Sequence, residues 1–181
     1  RVEYAVLGGV CALVIGVYAW SAQSGFLELW SLNADHTYYN LLVQGFRDGQ
    51  LNLKREVPAE LAQLADPYDP VASSPYRVVH YPLEDMSYYQ GKLYLYFGAT
   101  PALLLFWPYV AVTSHYLLHK DAVVIFCAAG FFASVGLLWA VWHRYFAEVG
   151  VGVVAAVTLA LGLATCTPLL LVRADVYEVA I

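Results

Sequence analysis

The stretch Ala122–Trp142, AVVIFCAAGFFASVGLLWAVW, decides the fold class of this chain. None of its 21 consecutive residues is an aspartate, glutamate, lysine or arginine. Roughly 20 helical residues are needed to span the hydrocarbon core of a bilayer, which is about 30 Å thick. The stretch therefore predicts a transmembrane helix.

Three other apolar segments predict transmembrane helices for the same reason. They run from about Tyr4 to Ala22, from about Leu93 to Leu118 and from about Val149 to Val172. We expect the first helix to be retained, because a cleaved signal peptide has a shorter apolar core followed by a small-residue cleavage site. The sequence thus predicts an all-α integral membrane fold with about four transmembrane helices. Since it ends without a polar tail, we expect the chain to be the N-terminal part of a longer protein.

The composition agrees with a membrane protein and excludes a nucleic-acid-binding one. The chain is 61% hydrophobic and 13% charged, whereas soluble domains carry about 25% charged residues. Its 15 tyrosines and five tryptophans fit the aromatic enrichment of membrane interfaces. The formal net charge is −5, and no cluster of lysine and arginine is present to bind phosphates. Membrane lipids are therefore the first expected partners.

A polar loop separates the first two predicted helices. Nine of the 14 acidic residues and five of the nine basic residues lie in it. The predicted organisation is a first helix over residues 1–22, an extramembrane loop over 23–92 and the remaining helices over 93–181.

Part of this loop is periodic and predicts a surface helix. Asn33 and Asp35 are candidate caps at its start, and Gly49 is a candidate end. Polar residues such as Asn40 fall on the opposite face from the apolar ones, so we expect the helix to lie in the membrane interface. The apolar residues at helical spacing are Tyr38, Leu41, Leu42 and Phe46.

The rest of the loop contains turn formers. A second short helix is predicted from Pro58 to Leu64, with proline in its first turn. Asp66 and Asp69 each precede a proline, which predicts consecutive turns. The same two carboxylates could bind a divalent cation, the one cofactor that the residues suggest. Gly91 is predicted to form a hairpin or turn.

Asp35 is the acid that the sequence singles out. A short link joins it to the first predicted helix, so its carboxylate is expected just above the lipid headgroups, at a helix N-terminus that favours an anion. The functional interpretation is a general base or a metal ligand. The structural interpretation is a plain N-cap, since aspartate is a preferred capping residue.

Basic and aromatic residues late in the loop are candidates for substrate binding. Arg77, His80 and Lys92 could hold a phosphate, or they could be solvated surface charges. Tyr88, in the tyrosine-rich stretch before Lys92, is a further candidate.

Three stretches carry a resemblance to a known family: GKLYLYFGATP at Gly91–Pro101, DPYDP at Asp66–Pro70 and RADVYEVAI at Arg173–Ile181. Together with one helix and a large loop that opens with an acid, they resemble the N-terminal part of GT-C membrane glycosyltransferases. More closely, the chain is similar to bacterial membrane proteins of the polyprenyl-phosphate-sugar-dependent, RgtA/B/C/D-like type. The likeness extends over nearly the whole chain.

The resemblance implies a multi-pass protein of the inner membrane whose first long loop faces the periplasm or extracytoplasmic side. It implies sugar transfer from an isoprenoid (polyprenyl) phosphate donor with inversion, with Asp35 as the catalytic first-loop acid and Asp85 as the best second acid. The alternative is a non-catalytic membrane subunit that packs against a larger membrane complex, which the short chain and its glycine-lined helices favour.

Overall fold

The computed structural model describes residues 2–23, 34–78, 86–174 and 176–180, and the side chains of residues 35 and 76–78 also lie outside this description. The described chain is mostly helical and contains a two-stranded antiparallel sheet. Its elements are α1 (Val2–Gln23), a 3₁₀ turn (Ala34–His36), α2 (Tyr38–Arg47), α3 (Ala59–Ala62), α4 (Pro70–Val78), β1 (Met86–Tyr89), β2 (Lys92–Leu95), a π-helical stretch (Ala102–Phe106), α5 (Trp107–Thr113), α6 (His119–Tyr145), α7 (Val151–Leu163), α8 (Thr167–Val172) and α9 (Val176–Ala180).

Two helices, α1 and α6, are long and apolar enough to cross a membrane. They contain 22 and 27 residues, which at 1.5 Å per residue gives lengths of about 33 and 40 Å. Only 28% of the most apolar part of α1 and 17% of that of α6 are buried. A core helix of a water-soluble protein would be mostly buried, whereas these two helices present apolar side chains outwards.

Contacts divide the described chain into two units. The helix unit consists of α1 and residues 118–179, and the loop unit consists of residues 34–117. The loop unit therefore continues past Lys92 and includes the apolar segment Ala102–Thr113.

Helices α1 and α6 run antiparallel in the helix unit. Tyr4, near the start of α1, packs on Trp139, near the end of α6, with 5.2 Å between the ring centroids. At the opposite end of the pair, Gln23 of α1 and Lys120 of α6 line the same cavity. The chain thus leaves α1 and enters α6 at the same end of the helix pair.

Helix α7 packs against both of them. Leu7 of α1, Trp142 of α6 and Val154 of α7 form a buried apolar cluster. Farther along, a Cβ atom on Gly162 would lie 2.6 Å from Cγ1 of Val14. The absence of a side chain at Gly162 therefore permits the close approach of α7 to α1, as small residues do between membrane helices.

The predicted fourth helix is interrupted in the structure. Helix α7 ends at Leu163, and α8 begins at Thr167 with Pro168 in its first turn. The buried hydroxyl of Tyr18 donates a hydrogen bond of 2.8 Å to the carbonyl oxygen of Gly162. The last carbonyls of a helix have no intrahelical donor, so this phenol from α1 satisfies one of the groups that the interruption exposes.

The predicted second helix starts later than the sequence indicated. Its proposed first residue, Leu93, lies in β2 and pairs with Tyr88 of β1, so the prediction of a helix there is wrong. The apolar helical segment is Ala102–Thr113. It opens with the π-helical stretch Ala102–Phe106, and α5 follows directly with Pro108 in its first turn. Proline has no N–H to donate to the carbonyl four residues earlier, which favours a local change of hydrogen-bond pattern.

Candidate functional site

The candidate site is built on the turn that contains Asp35, at the start of the loop unit. Residues Ala34–His36 form one 3₁₀ turn, and α2 begins at Tyr38. The backbone N–H of Thr37 donates to the carbonyl oxygen of Ala34 at 3.2 Å, and the Thr37 hydroxyl donates to the same oxygen at 2.8 Å. The carbonyl oxygen of Ala34 thus accepts two hydrogen bonds from Thr37, and these bonds fix the backbone on both sides of Asp35.

A buried asparagine completes this arrangement. The side chain of Asn40 is fully buried, and its Nδ2 lies 2.7 Å from each of three acceptors. These acceptors are the Ala34 carbonyl oxygen, Oγ1 of Thr37 and the carbonyl oxygen of Leu117. The two hydrogens of the amide are shared among them. One side chain thereby joins the Asp35 turn to the far end of the loop unit, 77 residues later in the sequence.

The expectation that Asn33 or Asp35 caps the surface helix is wrong in position, because Thr37 occupies the N-cap of α2. Thr37 has the extended backbone of an N-cap residue, with φ −75° and ψ 151°. Asp35 lies two residues earlier. Its place in the 3₁₀ turn is therefore not accounted for by the plain N-cap interpretation. Residue Asn33 lies outside the described residues.

The surface helix itself is packed within the loop unit. Tyr39 of α2 lies against Phe106, with 5.1 Å between the ring centroids, and Phe46 lies against Trp107 at 5.8 Å. Asn40 was expected on a polar, solvent-facing side and is instead buried. Burial also raises the pKa of Tyr39 to about 12. Tyr39 therefore stays neutral even at a pH at which an ordinary tyrosine ionises.

An extended segment connects α2 to the hairpin that carries Lys92. The N–H of Lys54 donates to the carbonyl oxygen of Leu41 in α2 at 3.1 Å. The N–H of the preceding residue, Leu53, donates to the carbonyl oxygen of Leu93 at 2.9 Å. Strand β2, which begins at Lys92, is thus linked to α2 through Leu53 and Lys54. One backbone hydrogen bond joins this segment to β2, and one joins it to α2.

The hairpin separates two of the predicted substrate-binding residues. Tyr88 pairs with Leu93, and Tyr89 pairs with Lys92. Since side chains alternate between faces along a strand, Tyr88 shares a face with the buried Leu93 and Lys92 shares the other face with Tyr89. Both Lys92 and Tyr89 are exposed. The turn at Gly91, with φ 76°, confirms the predicted hairpin turn.

The structure brings Tyr88 close to the two predicted turns. Its ring lies 6.1 Å from that of Tyr68, centroid to centroid. Oδ1 of Asp66 accepts the N–H of Tyr68 at 2.9 Å, and Oδ1 of Asp69 accepts the N–H of Val71 at 2.8 Å. The predicted turn after Asp66 is therefore confirmed. The second predicted turn is wrong, because helix α4 begins at Pro70 and the Asp69 carboxylate bonds to an N–H in its first turn. Binding of a divalent cation by Asp66 and Asp69 stays a prediction.

No three histidine, cysteine, aspartate or glutamate residues come together as a possible metal site within residues 2–23, 34–78, 86–174 and 176–180. Asp85 and His80 lie outside these ranges. The backbone of Arg77 belongs to α4, and its side chain is outside the description, as is that of Asp35. The roles predicted for these four residues stay predictions.

Sequence reasoning missed three residues that shape the candidate site: Thr37, Asn40 and Tyr89. The three-residue spacing of Thr37 and Asn40 at the start of a helix was an available signal, because it puts both side chains on one face. The acceptor on Leu117 could not be inferred, since it lies far along the sequence. Tyr89 could have been found only with the register of the hairpin.

No protein-family model, curated protein or solved structure matches this chain. The candidate site therefore depends on the residues and contacts of the chain itself.

Proposed function

We propose that this protein is a GT-C-type membrane glycosyltransferase, or the N-terminal part of one, that transfers a sugar from a polyprenyl-phosphate donor. Asp35 acts as the general base and takes the proton of the acceptor hydroxyl while that oxygen bonds to the sugar carbon. The bond from this carbon to the phosphate oxygen breaks at the same time. The polyprenyl phosphate leaves from the opposite face, so the configuration of the sugar carbon is inverted.

The observation that carries this proposal is the buried polar cluster beside Asp35. Burial of an amide or hydroxyl costs free energy unless the group is hydrogen-bonded. The Thr37 hydroxyl and Nδ2 of Asn40 meet this requirement by donating to the carbonyl oxygen of Ala34, and Nδ2 also reaches Leu117. Oδ1 of Asn40 is buried without a hydrogen-bond partner among the described residues. Such a cluster fixes one backbone geometry around an acid. A catalytic carboxylate needs a backbone of this kind, because its position must be set before the substrate binds.

The proposal includes a membrane topology. α1 and α6 cross the inner membrane, and α7 with α8 forms one interrupted crossing segment. Because the chain leaves α1 and enters α6 at the same end of the helix pair, the intervening residues cross an even number of times. Ala102–Thr113 is one short helix of about 18 Å, so the proposal replaces the expected four spans by three. The residues between α1 and α6 then face the extracytoplasmic side, where the donor presents its sugar.

Other residues take supporting roles in the proposal. Lys92 supplies positive charge to the donor phosphate, and Tyr89 lies beside it on the exposed face of the hairpin. The remaining predicted roles are a second acid at Asp85, phosphate contacts from Arg77 and His80, a substrate contact from Tyr88, and a divalent cation at Asp66 and Asp69.

The test is sugar transfer by the purified, membrane-reconstituted protein with a polyprenyl-phosphate sugar as donor. Asp35→Asn keeps the shape of the side chain and removes the base, so the rate is expected to fall by about 10²-fold or more, the usual contribution of a general base. The melting temperature is expected to stay close to that of the wild type, because asparagine has nearly the same size and shape as aspartate. Full activity of Asp35→Asn would refute the role of this residue.

Asp48→Asn is the matched control. It makes the same chemical change at the other end of α2, where Asp48 pairs with Lys54 at 2.7 Å on an exposed surface. Exposed ion pairs contribute about 0–1 kcal/mol, so this variant is expected to keep wild-type transfer. Equal loss in both variants would indicate damage to the loop unit and not the loss of a base.

A second candidate function is a non-catalytic membrane subunit. It is favoured by the exposed apolar surface of α6, of which only 17% is buried. Leu137, for example, is 68% exposed. Such a surface fits neighbouring helices of a larger complex as well as it fits lipid. A stable complex of fixed stoichiometry after mild detergent extraction, together with no donor binding, would support this candidate over the enzyme.

A further inference from the structure

The helical segment Ala102–Thr113 of the loop unit has two different faces. Its inner face is buried at Ala102, Phe106 and Val110, and the ring of Phe106 packs on that of Tyr39 in α2. Its outer face is exposed. The outer face consists of the two residues that follow each buried one: Leu103, Leu104, Trp107, Pro108, Ala111 and Val112.

The outer face is apolar throughout. None of the residues from Ala102 to Thr113 is charged, and Val112 is 85% exposed. The hydroxyl of Thr113, next to the outer face, donates to the carbonyl oxygen of Tyr109 at 2.8 Å. Protein–protein interfaces carry about one hydrogen bond per 100–200 Å², and the only side-chain donor that the outer face offers is the indole N–H of Trp107. The outer face therefore suits lipid better than it suits another protein.

The segment is too short to cross a bilayer, but the chain keeps it near one. It is about 18 Å long, whereas the hydrocarbon core is about 30 Å thick. The chain enters α6 at His119, only six residues after Thr113, and a connection of this length spans at most about 22 Å. Since α6 is longer than the hydrocarbon core is thick, its first residues lie at the level of the headgroups when it crosses a membrane. The outer face is thus tethered within reach of the membrane surface that α6 enters.

We infer that the outer face lies flat on this membrane surface, with Leu104 and Val112 at the boundary between headgroups and acyl chains. The partner of the face is therefore a lipid surface. A helix that lies in this plane buries its apolar side by about 5–10 Å. Trp107 fits this level, because tryptophan is enriched at membrane interfaces. The inference depends on α1 and α6 lying in a membrane and does not depend on sugar transfer.

This contact also sets the height of the candidate site above the lipid. Tyr39 near the start of α2 and Phe46 near its end both pack on the segment, so α2 forms a second layer on the inner face. The axes of packed helices are about 8–10 Å apart. The turn Ala34–His36, which directly precedes α2, then lies at the level of the headgroups. The interfacial position that the sequence predicted for α2 is thus taken by the segment beneath it.

Fluorescence quenching in phosphatidylcholine vesicles tests the contact with the full chain. Cys11, Cys127 and Cys166 are first replaced by alanine. Leu104→Cys and Val112→Cys are then labelled, one at a time, with the environment-sensitive dye NBD. Part of the phosphatidylcholine carries a doxyl nitroxide near the top of one acyl chain. A face buried by about 5–10 Å brings the dye next to the nitroxide, so quenching is expected to be about threefold stronger than at an aqueous position.

Val71→Cys is the matched control. Val71 has the same side chain as Val112, is 81% exposed and lies in the first turn of α4 in the same unit. Its label is expected to be quenched by iodide in the water and not by the nitroxide lipid. Melting temperatures of the labelled variants are compared with that of the cysteine-free chain. Leu103→Cys, on the same outer face, replaces any outer-face variant that does not fold.

Iodide quenching at Leu104 and Val112 as strong as that at Val71 would overturn the inference, because the outer face would then lie in water. Labels shielded from both quenchers would also overturn it and would indicate a protein partner on this face. So would equally strong nitroxide quenching at all three positions, since no face would then be preferred. Asp35→Asn in the cysteine-free chain is expected to keep the quenching pattern. Failure of the transferase proposal and failure of this inference are therefore separate results.

Discussion

The helix unit and the loop unit both expose large apolar side chains, but they satisfy their buried polar groups in different ways. In the helix unit, large apolar side chains such as Leu137 and Val153 are 68% and 58% exposed, and the buried Tyr18 and Thr158 each donate to a backbone carbonyl. In the loop unit, apolar residues form the interior and the buried Asn40 is shared among three acceptors. In both units, buried side-chain donors thus bond to backbone carbonyls. The loop unit differs in that two buried oxygen atoms, Oδ1 of Asn40 and Oγ of Ser73, have no hydrogen-bond partner among the described residues.

The largest expected effect compares one substitution, glycine to alanine, in the two units. A Cβ atom on Gly45 of the loop unit would overlap the backbone carbonyl oxygen of Asn52, which cannot move without shifting the segment after α2. On Gly162 of the helix unit, it would meet the side-chain methyl groups of Val14 at 2.6 and 2.9 Å. We expect Gly45→Ala to cost about 3 kcal/mol or more and Gly162→Ala about 1–2 kcal/mol.

Thermal or urea unfolding in detergent measures these differences. Gly130→Ala is the control, because its Cβ atom would meet nothing within 4 Å and alanine is the better helix former by about 0.5–1 kcal/mol. A smaller loss for Gly45→Ala than for Gly162→Ala would contradict the rigid contact with Asn52.

The next largest effect concerns the buried polar cluster. Asn40→Leu has a similar volume but leaves the Leu117 carbonyl and the Thr37 side chain without the amide donor. A buried group that loses its partner costs about 1–3 kcal/mol, so we expect a loss of about 2 kcal/mol. Hydrogen exchange is expected to become faster at the N–H of Thr37, which bonds to Ala34. Unchanged exchange at Thr37 would show that the turn of Asp35 does not depend on Asn40.

A pH titration tests the interior of the loop unit. Tyr39 has a pKa of about 12 in the folded protein against an ordinary value of 10.0. The folded state therefore keeps the proton that the unfolded chain releases, so this contribution is fully present below pH 10 and is lost as the pH rises from 10 to 12. The loss is on the order of 2 kcal/mol.

Urea unfolding at pH 9 and pH 11.5 measures this loss, and Tyr39→Phe provides the comparison. The other tyrosines titrate equally in both proteins, so the wild type is expected to lose more stability than the variant between the two pH values. An identical loss would contradict the raised pKa of Tyr39.

The smallest effect belongs to the helix unit. Tyr18→Phe removes the hydroxyl that donates to Gly162 where α7 ends. Hydrogen bonds between membrane helices contribute about 0.6 kcal/mol on average and up to about 1.7, so a loss of about 1 kcal/mol is expected from unfolding in detergent. Tyr145→Phe is the control. Tyr145 is the last residue of α6 and is exposed, so this variant is expected to keep the wild-type stability. A loss above about 3 kcal/mol would mean that Tyr18 does more than satisfy one carbonyl.

The features that were predicted from sequence depend on local patterns. The apolar runs located α1 and α6, and Pro58, Asp66 and Gly91 located the short helix and two turns. Each of these signals acts over a few residues, through helix length, a fixed φ angle or a side chain that bonds two residues on.

The features that were missed depend on partners distant in sequence. The apolar pattern near Leu93 fits a membrane helix and a strand equally well, and its pairing with Tyr88 decides for the strand. Asparagine is usually solvent-facing, and Asn40 can be buried because the carbonyl oxygen of Leu117, far along the sequence, accepts a hydrogen bond from it. For the candidate site, the sequence therefore provided the acid but not the polar cluster that fixes its backbone.

The hydrogen bond from Asn40 to Leu117 also constrains the order in which the protein can be made. Translation proceeds at about 5–20 residues per second, so the 77 residues between these two partners take about 4–15 s to synthesise. Throughout that interval α1 is already complete, yet the turn of Asp35 lacks its last anchor. The acid can reach its final geometry only after the whole loop unit has been translated, just as the first residues of α6 follow. Maturation of the candidate site is thus timed by the synthesis of its own loop.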